Sequence, residues 1–184
     1  GDDSAFERAA LDVFRFQAER CEPYREYLRV IGIRPERVET TREIPFLPIE
    51  LFKTRRVYCS DSEPQQVFTS SSTTGQTPAK HYVADLSIYE RAFTLAFERF
   101  YGSVDRMAIF ALLPNYLERE GSSLIYMADR LIRQGGGGFY LHDHDALLRD
   151  LHAHRGPKIL LGVSYALWDL ADRKPGPLPG TIVM

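Results

Sequence analysis

Apolar positions recur at helical spacing in the first third of the chain and contract into short runs further on. Phe6, Ala9, Ala10, Val13, Phe14 and Gln17 trace one helix face, with Ser4 placed to cap its start. Cys21-Glu22-Pro23 interrupts that pattern. Pro23 suits the first turn of a second helix, which runs to about Ile31 and stops at Gly32. Pro35 opens a short turn, and Pro48 opens another that carries Leu51 and Phe52 inward. Gln66–Thr69 and Lys80–Ala84 are short β-type runs. Asp85 then caps a helix to about Tyr101, on which Leu86, Tyr89, Phe93, Ala96, Phe97 and Phe100 repeat at three and four.

After Gly102 the pattern alternates. Strands are predicted at Met107–Leu113, Phe139–Leu141, Lys158–Val163 and from Thr181 onward. Between them fall helices capped by Ser122 or Ser123 (to Gln134), by Asp143 or Asp145 (to His154) and by Ser164 (to Asp172). Strands joined by helical crossovers mean a parallel, mostly buried sheet. The expected fold is therefore α/β, a mostly parallel sheet with crossover helices, preceded by an N-terminal helical segment over 1–42. The α/β part spans 43–184. Sites in such sheets gather at the carboxyl ends of strands, so the loops after Leu113, Leu141 and Val163 are the places to look. Gly135–Gly138 reads as a flexible connector, and Trp168, beside Leu167 and Leu170, as a core residue.

Composition narrows the classes. With 184 residues, 44% of them apolar, the chain can bury a sizeable core. A formal net charge of −2 gives no basic field for nucleic acid or anionic membrane. There is no apolar stretch long enough to span a bilayer and no leader-like start, which gives a cytoplasmic expectation. Cys21 and Cys59 have neither metal-ligand spacing nor the density of a disulfide scaffold, and are read as reduced thiols. The run Thr181-Ile182-Val183-Met184 stops in the middle of an apolar strand. That suggests an incomplete N-terminal domain of a longer protein.

The densest chemistry lies at Gln66-Val-Phe-Thr-Ser-Ser-Ser-Thr-Thr-Gly-Gln-Thr-Pro-Ala-Lys80. A strand feeds six consecutive hydroxyl residues (Thr69 to Thr74), then Gly75, with Lys80 five positions on. Small side chains let the backbone approach an anion, hydroxyls and amides donate to phosphate oxygens, and lysine adds a point charge. A solvated Ser/Thr linker is the plain alternative. Gly-x4-Gly-Lys-Ser/Thr is absent, so this is not the common P-loop. The run instead resembles the phosphate-binding signature Thr-Ser-Gly-Thr-Thr-Gly-x-Pro-Lys of adenylate-forming acyl-activating enzymes. Ser72 stands where that family has glycine, and Pro78 and Lys80 sit one and two positions later than its commonest spacing.

Other segments extend the resemblance over roughly 42–184. Pro45-Phe-Leu-Pro-Ile-Glu-Leu-Phe-Lys53 and Gly121-Ser-Ser-Leu-Ile-Tyr-Met127 are similar to acyl-protein synthetases, which charge a fatty acid with ATP and pass it to a protein thiol in bacterial luminescence. Gly162-Val-Ser-Tyr-Ala-Leu167 is similar to a turn of phenylacetate–CoA ligases, and Leu112-Leu-Pro-Asn-Tyr116 falls where these enzymes line the acyl pocket. Packing alone also accounts for Phe46, Leu47 and Phe52, and helix capping for Ser122 and Ser164.

The resemblance implies an acid–thiol ligase that uses ATP and Mg2+, forms an acyl-adenylate from a carboxylic (fatty) acid, and acylates a protein cysteine or coenzyme A. Ser71, Ser72, Thr73, Thr74, Gly75 and Lys80 would hold the ATP phosphates. Asn115, Tyr116 and Ser164 would face the acyl group. The family's later Tyr-Gly-x-Thr-Glu motif and its late lysine do not occur in this chain, and neither Cys21 nor Cys59 matches its acyl-accepting cysteine by context. The catalytic residues would then lie beyond residue 184, and the isolated chain would be inactive. A phenylacetate-type CoA ligase and a non-catalytic nucleotide- or partner-binding fragment remain the alternatives. His142-Asp-His-Asp145 and His152-Ala-His154 invite a metal. However, helical geometry sets His152 and His154 about 200° apart, and Asp143 and Asp145 serve as caps, so no metal site is assigned.

Overall fold

The computed structural model describes residues 3–70, 77–114 and 121–184, and the chain divides into two units, Gly1–Leu86 and Ser87–Met184. In the first, α1 (Asp3–Arg20) and α2 (Glu22–Val30) pack together around Leu11, Phe14, Ala18, Cys21, Tyr24, Leu28 and Val38. The buried stripe of α1 thus runs through Leu11, Phe14 and Ala18, while Phe6 and Val13 face solvent. Apolar residues occupy several faces of this helix, and the face buried is the one that meets α2. Ser4 lies inside the first turn, not ahead of it, and its hydroxyl accepts from Arg8.

Cys21 is the N-cap residue of α2 and Pro23 its second residue, where the missing N–H leaves no intrahelical bond unmade. Gly32, at φ 72°, closes the helix, with Ile33 N–H donating to Leu28 O at 2.9 Å and Gly32 N–H to Arg29 O at 3.2 Å. The Tyr24 hydroxyl donates to the Pro45 carbonyl at 2.6 Å and ties the proline-rich connector to α2. A turn from Pro48 then leads into α3 (Leu51–Thr54), with Leu51 and Phe52 half-buried. Phe46, expected to pack, is 89% exposed. Strands β1 (Gln66–Thr69) and β2 (Lys80–Val83) form an antiparallel pair.

The second unit carries the predicted α/β alternation. After α4 (Leu86–Tyr101) come β3 (Ala108–Leu112), α5 (Ser123–Gly135), β4 (Gly137–Phe139), α6 (His144–Ala153), β5 (Lys158–Gly162), α7 (Ser164–Asp172) and β6 (Thr181–Val183). The four strands are parallel, in the order β4-β3-β5-β6. Side chains alternate across the sheet. Ile109, Ala111, Leu113, Ile159 and Leu161 pack with Phe97 of α4 and Ala128 and Leu131 of α5. Ala108, Phe110, Leu112 and Leu160 pack with Leu147 and Leu151 of α6 and Ala166 and Leu170 of α7. Helices therefore cover both faces. Leu112, Leu113, Leu147, Leu151 and Ile159 are fully buried, each contributing about 1.5–3 kcal/mol relative to an exposed side chain.

Three expectations for this unit are corrected. On α4 only Phe97 is fully buried, and Phe100 is 77% exposed because the buried stripe passes through Tyr89, Phe93 and Phe97 instead. Trp168 is 70% exposed, since α7 turns Ala166 and Leu170 to the sheet. The glycine run is no flexible connector. Gly135 ends α5 and Gly137-Gly138 begin β4, so that strand starts two residues earlier than expected. A methyl group on Gly137 would overlap the Ile109 carbonyl, and one on Gly135 the carbonyls of Met107 and Val104. The run permits close backbone packing. No described helix is long and apolar enough to cross a membrane.

Candidate functional site

The hydroxyl-rich segment joins β1 to β2. Their register sets Thr69 opposite Lys80 and Phe68 opposite His81. One step past the ladder, Ser70 N–H donates to Ala79 O at 3.0 Å, and Ala79 N–H donates to Ser70 Oγ at 2.9 Å. Ser70 thus closes the neck of the loop with its backbone and its hydroxyl together. Ser71, Ser72, Thr73, Thr74 and Gly75 lie outside the described residues. Lys80 is exposed at the first position of β2 and shares a strand face with Thr69.

Aromatic contacts brace β2. Phe52 stacks on His81 with ring centroids 6.3 Å apart, and Tyr58 lies 6.0 Å from Tyr82. The Arg56 guanidinium sits 5.3 Å from the Tyr58 ring centre and 5.4 Å from that of Tyr82. By the two-residue pleat, Tyr82 and Lys80 share a face, so Arg56 is a second cation on the lysine side of the hairpin. Its sequence context, Lys53-Thr-Arg-Arg56, gives no hint of this. The pairing arises only when the hairpin forms.

In the second unit the chain leaves β3 through α5 on one face of the sheet and reaches β5 through α6 on the other. The carboxyl ends of β3 and β5 therefore flank a point where strand order reverses, the place where such sheets open a crevice. Pro114 follows β3 there, and Val163-Ser164 follow β5. The Tyr165 hydroxyl reaches the Pro114 carbonyl at 3.4 Å. Ser122 caps α5, its Oγ accepting from Ile125 N–H at 3.3 Å. Ser164 does not cap α7. Val163 holds the cap position, and Ser164 is the first helical residue, exposed, with its hydroxyl making no hydrogen bond among the described residues. Asn115 and Tyr116 lie outside the described residues.

The histidine-rich stretch resolves into helix ends. Asp143, not Asp145, caps α6 by accepting from Ala146 N–H at 2.9 Å. His154 stands past the end of the helix with its ring 5.7 Å from that of Phe110. Among the described residues no group of three His, Cys, Asp or Glu side chains is placed to hold a metal ion. Tyr140, on the same side of the sheet, donates to Asp150 at 2.8 Å; burial first, and then that carboxylate, pushes its phenol above the usual range. No family model, no curated protein and no solved structure matches the chain.

Proposed function

We propose that these residues are the N-terminal portion of an ATP-dependent ligase that activates a carboxylic acid, best a fatty acid, as its acyl-adenylate and transfers the acyl group to a thiol. The observation that carries the reading is the closed neck at Ser70 and Ala79, which turns a hydroxyl- and glycine-rich run into a loop with Lys80 at its base. In this reading the substrate carboxylate attacks the α-phosphorus of ATP and pyrophosphate leaves. Ser71, Ser72, Thr73, Thr74 and Gly75 donate to the β- and γ-phosphate oxygens as charge accumulates there, with Lys80 as the adjacent cation. Mg2+ bound with the triphosphate would offset part of its charge. The carboxyl ends of β3 and β5, with Ser164 at the start of α7 and Asn115 and Tyr116 in the segment after Pro114, would receive the acyl chain.

The test is exchange of labelled pyrophosphate into ATP by the full gene product. Exchange that depends on added fatty acid is the expected result. Exchange with arylacetic acids alone would move the assignment to a phenylacetate-type CoA ligase. No exchange with any acid, alongside measurable ATP binding, would replace both by a nucleotide-binding module.

A further inference from the structure

Four arginines fall between positions 25 and 37 in a chain whose formal net charge is −2. Arg25 and Arg29 stand four residues apart on one face of α2, and Gly32 continues that face three residues on. The chain turns at Gly32 (φ 72°) and, after Arg34, enters a short 3-10 helix, Pro35–Arg37. Helix and turn border an open cavity of about 490 Å3. Ala18, Leu28 and Ile33 supply its apolar lining, Arg25, Arg29 and Arg34 its cations, and Glu36 its one carboxylate. An adjoining recess of about 340 Å3 shares Arg34 and adds Arg37.

The nearby carboxylates are already engaged. Glu26 pairs with Arg55 at 2.7 Å. Glu43, which borders the second recess, accepts from the Glu39 and Thr40 N–H groups at 2.9 and 3.2 Å. Arg25 donates to the Glu19 carbonyl at 2.8 Å, a neutral acceptor that holds the guanidinium without cancelling its charge. Arg29, Arg34 and Arg37 make no side-chain hydrogen bond or ion pair among the described residues. The negative end of the α2 dipole favours Arg29 in the last turn, but Arg34 and Arg37 lie beyond the helix. Three cations against one carboxylate leave the first cavity with two positive charges in excess.

We propose that this cavity binds a small organic phosphate monoester, its phosphate held by Arg25, Arg29 and Arg34 and its organic body set against Leu28 and Ile33. Such a phosphate carries close to two negative charges at neutral pH and three acceptor oxygens, which suits two excess charges and three guanidinium forks. A carboxylate offers half that charge and fills one fork. The volume lies within the range of small-molecule sites, which favours a compact soluble ligand over a macromolecule. Like charges repel, so guanidiniums gathered at one cavity destabilise the free protein, and a bound dianion relieves them. No residue of 66–80 lines the cavity, so the site stands or falls independently of the ligase reading.

The test is a titration of the isotope-labelled chain with phenyl phosphate, followed through backbone amide shifts and the arginine Nε–H signals. Saturable shifts at Gly32, Ile33 and Arg34 are the expected result. Phenyl phosphate should bind about tenfold tighter than inorganic phosphate, which lacks the apolar body, and than benzoate, which lacks the second charge. Arg29→Gln and Arg34→Gln should each weaken binding by about tenfold, whereas Arg15→Gln on α1 should leave it unchanged. All three side chains are exposed, so the variants should keep the fold, which unchanged thermal midpoints check. Equal affinity for the three anions, shifts confined to residues 66–80, or binding that both cavity variants retain would each overturn the proposal. So would co-sedimentation with phosphatidic acid vesicles in the absence of phenyl phosphate binding.

Discussion

Lys158 donates from a 5%-exposed ammonium to the Leu151 carbonyl at 2.7 Å, and the same nitrogen reaches His154 O at 2.7 Å. The first residue of β5 thus closes the carboxyl end of α6, where unpaired carbonyls and the negative end of the helix dipole both favour a cation. Lys158→Met keeps the aliphatic stem and removes both donors. It should lower stability by about 2–3 kcal/mol, the scale of hydrogen bonds to a charged group with buried partners left unmade. Urea titration of both proteins checks this, and an unchanged midpoint would mean that water replaces the ammonium.

Gly136 and Gly137 separate two causes of glycine dependence. Both have positive φ, 96° and 107°, but a side chain at Gly136 meets open space whereas one at Gly137 overlaps the Ile109 backbone. Gly136→Ala should cost about 1–3 kcal/mol of backbone strain. Gly137→Ala should cost more than about 3 kcal/mol, because β4 cannot keep its register with β3. Equal effects in thermal unfolding would show that the close approach is dispensable.

The sequence pattern carried the parallel sheet because β3, β5 and β6 are short apolar runs set between helical segments. Helix faces were less legible. Phe6, Val13, Phe100 and Trp168 read as core yet point to solvent, since α1 and α4 have apolar residues on more than one face and only tertiary packing selects among them. The glycine run misled because its purpose, close approach to Ile109, lies in a neighbouring strand. The hydroxyl loop was visible as a local motif, but the Ser70–Ala79 neck and the place of Arg56 over Tyr82 depend on the pairing of β1 with β2. Composition and spacing do not encode such contacts.

Cys21 and Cys59 pack in one apolar cluster, and the shifts of the two cysteines make a pH prediction. The Cys59 thiol, then the Tyr24 and Tyr58 amides and Arg25, depress the Cys21 thiol from 9.0 to about 6. A depressed acid contributes stability that is full above its unfolded value and is lost as pH falls through the folded one. Stability from this group should therefore rise between pH 6 and pH 9. Cys59, raised by the same hydrogen bond and then by burial, has the opposite sense: its contribution is present below its unfolded value and erodes above pH 9. Denaturant titrations across pH 5.5–9.5 on the wild type and Cys59→Ser check the pair. Losing the thiol donor should move the Cys21 midpoint upward and flatten the rise, whereas identical profiles would remove Cys59 as the cause.

On the proposed ligase reading, Thr73→Ala with Thr74→Ala in the full gene product should slow adenylation far more than acyl transfer. Pyrophosphate gains charge as the α-phosphorus is attacked, so donors fixed on its oxygens lower that barrier and need no reorganisation at the moment of reaction. Removing a preorganised donor costs on the order of 2–4 kcal/mol in a dry site, and a loop this polar is partly wet, which points to the lower half of that range. Transfer from preformed acyl-adenylate begins after pyrophosphate has gone and should be nearly unchanged. Single-turnover rates of the two steps, measured separately, decide the matter. If both steps fall together, or neither falls, the loop closed by Ser70 and Ala79 does not hold the leaving group.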